Sequence, residues 1–144
     1  MISLTTARKL TEAGLAWTPA LNDFFVIPDR GLDDRVFVVN EMNINVERMQ
    51  GQTVFTFQGV SEWALDYVVT SETIWLPTEE QLREALEPHL LGETQPALKL
   101  FSTQGIYRCE IQFGGQALTF EASGASEAYA AALLQVLKMT GRRH

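Results

Sequence analysis

Cysteine and histidine are scarce in this chain. A single cysteine, Cys109, has no partner for an intrachain disulfide, which excludes the cross-linked scaffold of a small secreted domain. The two histidines, His89 and His144, stand outside any motif. Nucleophilic catalysis needs an activating base within hydrogen-bond reach of the nucleophile, and His89, just after the helix-ending Pro88, reads as a solvated helix-end residue. No CxxC or HExxH spacing occurs, so no metal is expected. GxGxxG and GxxxxGK[ST] are also missing, which removes the glycine-rich cradles that hold nucleotide phosphates, and no cofactor is expected. The longest apolar run, Ala128 to Leu134, falls far short of the ~20 residues of a membrane span. The opening Met1–Lys9 places its charges after its apolar residues and does not read as a signal peptide.

Basic residues are outnumbered, with 11 Lys and Arg against 18 Asp and Glu and a formal net charge of −7 at pH 7. That balance opposes nucleic acid and anionic lipid as partners and suits a basic partner or plain solubility. The charged fraction of 20% beside 46% hydrophobic residues is ordinary globular composition. The length of 144 residues suits a single domain, 1–144, with a core that needs no staples. A cytoplasmic protein is expected.

Residues 4–13 read as an amphipathic helix, with Leu4, Ala7, Leu10 and Ala13 on one face. Gly14 stands where a left-handed C′ residue belongs, with Leu15 as its apolar partner. Phe24–Ile27 and Val36–Val39 read as two strands around the turn 28–34. Asp29, Asp33 and Asp34 crowd that turn, but Arg30 and Arg35 interleave and the spacing is not that of a calcium loop. Residues 41–50 fit either a strand or a helical turn, and Thr53–Phe57 fits a strand.

Positions 61–73 fit a helix at 100° per residue, with Trp63, Ala64, Leu65, Tyr67, Val68 and Val69 over more than half the circumference. Such a helix is expected to be enclosed by the rest of the fold. Its polar sector holds Glu62 and Asp66 at i,i+4, a candidate acid–base or ligand face as well as an ordinary wet one. Trp63 and Trp75 are candidate pocket residues, although large aromatics more often form core. Thr78 with Gln81 forms a capping box for a helix that Pro88 limits, with Glu79, Arg83 and Glu87 at i,i+4 spacing along it.

Gly114-Gly115 predicts a hairpin between Ile106–Phe113 and Gln116–Ala122. The register then sets Ile111 opposite Leu118 and Cys109 opposite Phe120 on one face, with Arg108 opposite Glu121 and Glu110 opposite Thr119 on the other. Cys109 should point inward and behave as a small hydrophobe. A last helix over 126–139 buries Tyr129, Ala130, Leu133, Val136 and Leu137. Its other side, Ala128, Ala131, Ala132, Gln135 and Met139, is expected to face outward, either as simple helix formers or as a self-association face.

The succession of elements implies an α+β fold with helices packed on antiparallel sheet. Its C-terminal part, in the order α-β-β-β-α, resembles double-stranded RNA-binding domains. That resemblance implies lysines at the start of the last helix, where Ser126-Glu127-Ala128 stand here, so RNA binding is not expected with it. Four stretches carry a second resemblance: Ala7–Leu10 with Gly14–Trp17, Ile27–Arg30, Glu62–Tyr67 and Trp75–Leu82. Through them the chain is similar to a set of small bacterial and phage-associated proteins of unassigned function. Some of these bear a pilus-assembly label, which implies a nucleotide-binding ATPase fold, and the resemblance supplies no catalytic residues. The leading expectation is a non-enzymatic protein that works by protein–protein contact, as a homodimer or with another chain. An acidic antagonist of immunity type binding a basic partner, and a small-molecule binder using Trp63 and Trp75, are the alternatives.

Overall fold

The computed structural model describes residues 1–29, 35–40, 44–57 and 67–141. Its class is α+β, and among the described residues every strand pair is antiparallel. The chain divides into two compact units, one made of Met1–Leu15 with Pro77–His144 and the other of Ala16–Leu76.

The first unit begins with α1 (Leu4–Glu12), capped by the Ser3 side chain, which accepts from the Thr6 N–H. The helix ends in a Schellman motif. Gly14 adopts φ +100°, and the Gly14 and Leu15 N–H groups donate to the Thr11 and Leu10 carbonyls. Helix α2 (Glu79–Leu86) carries the expected capping box between Thr78 and Gln81. Pro88 then diverts the chain into a 3-10 turn over Glu87–Leu90. Strands β7 (Leu98–Thr103), β8 (Ile106–Phe113) and β9 (Gln116–Ala122) form an up-and-down sheet with β8 central, followed by α3 (Ala125–Gly141).

The β8–β9 register is the one the glycine pair dictates, with Ile111 opposite Leu118, Cys109 opposite Phe120 and Arg108 opposite Glu121. Gly114 and Gly115 take φ +62° and +75°, which only a residue without Cβ adopts freely. The Glu93 carboxylate accepts from both of their N–H groups, at 2.7 and 3.3 Å. Cys109, Ile111 and Phe113 are buried on the covered face of the sheet, against which α3 packs.

Helix α3 is enclosed far more than expected. Tyr129, Ala130, Leu133 and Val136 are buried as predicted, but Ala128 and Ala132 also have no exposed surface. The outward alanine face is therefore a correction. Helices α1 and α2 both pack on α3, in addition to β8 and β9, so the small side chains are where neighbouring helices approach. Glu127 fixes one of these contacts, accepting from the Ser3 N–H at 2.7 Å and the Thr6 hydroxyl at 2.9 Å.

The second unit is built from two three-stranded sheets. Strands β1 (Phe24–Val26), β2 (Phe37–Val38) and β6 (Ile74–Leu76) form one, in the order β2-β1-β6. Strands β3 (Ile44–Met49), β4 (Gln52–Phe57) and β5 (Tyr67–Val69) form the other, in that order. Residues 44–49 thus resolve as strand. Phe25, Ile27, Phe37, Val39, Ile44, Phe55 and Val68 make the core, with Trp17 and Phe57 packed against it. Phe25 and Phe55 stack at its centre, ring centroids 4.3 Å apart.

The helix expected over 61–73 is corrected where it can be compared. Tyr67–Val69 is strand β5, Thr70–Glu72 is a single 3-10 turn, and residues 61–66 lie outside the described residues. Burial alternates along β5, with Tyr67 49% exposed and Val68 1%. Pairing with Val54, Phe55 and Thr56 gives this β-branched run a partner that helical periodicity cannot see. No helix among the described residues is long and apolar enough to cross a membrane.

Candidate functional site

The sheet of the first unit has two unlike faces. Alternation along each strand sends Lys99, Phe101 and Thr103 of β7, Ile106, Arg108, Glu110 and Gln112 of β8, and Thr119 and Glu121 of β9 to the side opposite buried Cys109 and Ile111. Phe101 is 39% exposed and Ile106 51%, high values for large apolar side chains in strands. Register places Phe101, Arg108 and Glu121 in one row across the sheet and Lys99, Glu110 and Thr119 in the next.

The charges on this face are organised. Arg108 Nε lies 3.3 Å from Glu110 Oε1, and the guanidinium carbon sits 5.0 Å from the centroid of the Phe101 ring. The second contact keeps the arginine low over the ring, a cation–π geometry. Two shallow depressions mark the surface. One, of about 210 Å³, is lined by Phe101, Thr103, Gln104, Ile106, Arg108 and Glu121. The other, of about 160 Å³, is lined by Lys99, Glu110, Gln112, Ala117 and Thr119 among others. Such relief suits contact with side chains of another macromolecule better than enclosure of a small molecule.

A second concave region lies in the other unit, beside β3. Two adjoining grooves of about 480 and 500 Å³ share Pro19, Val46 and Glu47, and the larger is also walled by Trp17, Arg48 and Thr70. Trp17 is the functional candidate that sequence reasoning passed over. Its ring stacks on Trp75 at 5.8 Å with 3° between planes, and it also meets Phe25 and Phe55. Its Nε1 donates to Asp23 Oδ2 at 2.9 Å, and the same oxygen accepts from the Ala20 N–H. Asp23, only 5% exposed, thereby fixes both the indole and the loop that forms one wall. The nearest signal in the sequence was Trp17-Thr-Pro19, which reads as a helix stop and nothing more.

Of the residues singled out from sequence, Glu62, Trp63 and Asp66 lie outside the described residues, as do Asp33, Asp34 and His144. Trp75 is half-buried, and its buried Nε1 has no hydrogen-bond partner among the described residues. Ala128 and Ala132 are buried, and Ala131, Gln135 and Met139 are half-buried. The Met139 methyl would stand 3.5 Å from a Cβ built on Gly114, so this side chain lies over the hairpin turn. The residues expected as a self-association face are thus not presented together. Among the described residues, no group of three or more His, Cys, Asp or Glu side chains is placed to hold a metal.

Cys109 points inward, as the register required, and has no exposed surface. Burial pushes its thiol from 9.0 up to about 11, with Glu110 adding to the effect. Burial likewise raises Tyr129, helped by Cys109. A thiol reagent at pH 8 is expected to label Cys109 only as the chain unfolds, since attack requires an exposed thiolate. A raised folded pKa contributes stability that is complete below the thiol's ordinary value of 9.0 and is lost as pH rises through about 11. Unfolding free energy should therefore fall between these values by up to ~3 kcal/mol, at ~1.4 kcal/mol per unit. Denaturant titrations of wild type and Cys109→Ala across this range measure the part that depends on the thiol, which includes the share of the Tyr129 shift that Cys109 causes.

One buried polar atom has a simple expected consequence. Thr56 Oγ1 in β4 is buried without a hydrogen-bond partner among the described residues. An unsatisfied buried hydroxyl costs ~1–3 kcal/mol. Thr56→Val keeps the β-branched shape and removes the orphan group, so it is expected to stabilise the protein by ~1 kcal/mol. The check is a rise in the denaturant midpoint with an unchanged slope.

The chain matches no protein-family model, no curated protein and no solved structure at the threshold for relatedness.

Proposed function

We propose that the protein is a non-enzymatic binding module that acts through protein–protein contact, with the outer face of the β7–β8–β9 sheet as its docking surface. One observation carries this reading. Phe101 and Ile106 are exposed on a sheet face that also carries two charges of each sign, while on the opposite face β8 and β9 pack against α3. Aromatic and arginine side chains held side by side are the groups that most often dominate binding energy at protein interfaces. Arg108 over Phe101 supplies such a pair already positioned. A lone, buried cysteine fits a reducing compartment, and the reading includes a cytoplasmic location.

The test is a photo-reactive phenylalanine analogue placed in cells at Phe101, at Ile106 and, as a control outside the strands, at Leu91, which is 75% exposed. Discrete protein adducts at the two sheet positions and none at Leu91 are expected. Absence of adducts at both sheet positions, or the same adducts at Leu91, would overturn the reading.

A second reading is favoured by α2, where Glu79, Glu80 and Glu84 are all exposed and present an acidic surface to a basic partner. The same cross-linker at Glu84 separates the two. Adducts confined to α2, with a complex that weakens steeply as salt is raised, would move the docking surface there.

A further inference from the structure

We infer that the occupant of the outer sheet face is a second copy of this chain, related by a two-fold axis that crosses β8 at right angles between Arg108 and Glu110. The inference rests on the proposed docking role of this face and deepens it.

Charge complementarity of the face with itself is the observation that selects the partner. Lys99 and Arg108 on one side of the ledger meet Glu110 and Glu121 on the other, so the face sums to zero although the chain carries −7. Two copies of an acidic protein can approach here without net repulsion between the surfaces that touch. In an isologous interface, residue i meets residue j and j meets i. An axis across the strands between Arg108 and Glu110 exchanges the two central rows. Arg108 of each copy then stands over Glu110 of the other, Phe101 over Lys99, and Glu121 over Thr119. No like charges oppose each other, and the Lys99 stem covers the Phe101 ring.

The other in-plane axis, running along β8, gives the opposite result. It would set Arg108 on Arg108 and Glu110 on Glu110, which like-charge repulsion disfavours. Of these two arrangements, the charges of the face favour the first.

Size sets the expected strength. Three strands at ~4.8 Å spacing and about six residues at ~3.3 Å make a patch of roughly 15 by 20 Å. That is below the ~800 Å² per partner of a standard interface. The dimer is accordingly expected to be weak and to dissociate in the micromolar to millimolar range.

The experiment uses the full chain in sedimentation velocity from about 10 μM to about 1 mM, the range set by that strength. Wild type should show concentration-dependent dimer. Arg108→Glu and Glu110→Arg each place like charges across the axis, and each alone should associate at least about tenfold more weakly. Mixed in equal amounts, the two variants should recover dimer, because each supplies the sign the other lacks. Arg108→Glu with Glu110→Arg in one chain should dimerise alone as wild type does. This double variant keeps opposite charges at 108 and 110 within the chain but sets its new glutamate opposite Glu121 and its new arginine opposite Lys99. Circular dichroism of each variant against wild type separates loss of folding from loss of the dimer, and the wild-type result stands by itself.

Wild type that stays monomeric throughout, or a mixture no more associated than its components, overturns the inference. Adducts of Phe101 with a different protein, together with a monomeric wild type, would leave the docking reading standing and remove the homodimer.

Discussion

Phe55→Ala is expected to cost ~3–5 kcal/mol and to lower the melting temperature by more than ~10 °C. Phe55 has no exposed surface, lies against Phe25 at 4.3 Å in nearly parallel rings, and meets Trp17 at 5.7 Å. Truncation removes apolar burial and leaves a cavity between the sheet that contains β1 and the sheet that contains β4. Phe55→Leu keeps most of the volume and should cost markedly less. Since whole domains are stable by only ~5–15 kcal/mol, the alanine variant should be partly unfolded near physiological temperature. Chemical denaturation of both variants against wild type checks this, and equal losses would mean that ring packing is not what joins the two sheets.

Ala132→Glu is expected to cost several kcal/mol, comparable with removal of a core side chain, whereas Ala131→Glu should cost no more than ~1 kcal/mol. The two positions are neighbours with the same residue type, so helix propensity is equal for both. They differ in burial, since Ala132 has no exposed surface and Ala131 is half-buried. A glutamate at 132 must either displace a packed neighbour of α3 or bury its carboxylate without a partner. Neither penalty applies at a position from which the side chain can reach water. Thermal melts of the pair measure the difference. Equal and small losses would show that the alanine-rich side of α3 is open to solvent after all.

Helix boundaries and the C-terminal hairpin were legible because their signals are local. Gly14 ends α1 through a backbone conformation, Thr78 and Gln81 begin α2 through two reciprocal hydrogen bonds, and Gly114-Gly115 fixes a register within ten residues on either side. Each operates at short range and needs nothing from the rest of the chain. The alternation that buries Cys109 and exposes Arg108 follows from that register alone, so the β8–β9 part of the candidate docking face was present in the sequence as a strand pattern, while the β7 part, with Lys99 and Phe101, was not. Its role was not, because exposure of Phe101 and Ile106 depends on which side of the sheet the helices cover.

Residues 67–73 went the other way. Tyr67-Val68-Val69 satisfies a helical period, yet its backbone is taken up by β4, a strand that begins fifteen positions earlier in the chain. Intrinsic preferences worth tenths of a kcal/mol per residue yield to a ladder of hydrogen bonds and a buried Val68. Trp17 was opaque for a related reason. Its value lies in being stacked on Trp75 and tied to Asp23, and stacking between residues 58 positions apart leaves no periodic trace.

The amino-acid sequence by itself determined where the chain turns, caps and alternates, because those choices are settled between residues a few bonds apart. Only the tertiary structure decided which surfaces meet. It enclosed Ala128 and Ala132 of α3, drew 67–69 into a sheet, and left one face of the C-terminal sheet open. Burial is a property of neighbours brought from elsewhere in the chain, and no single stretch contains the neighbours that cover it.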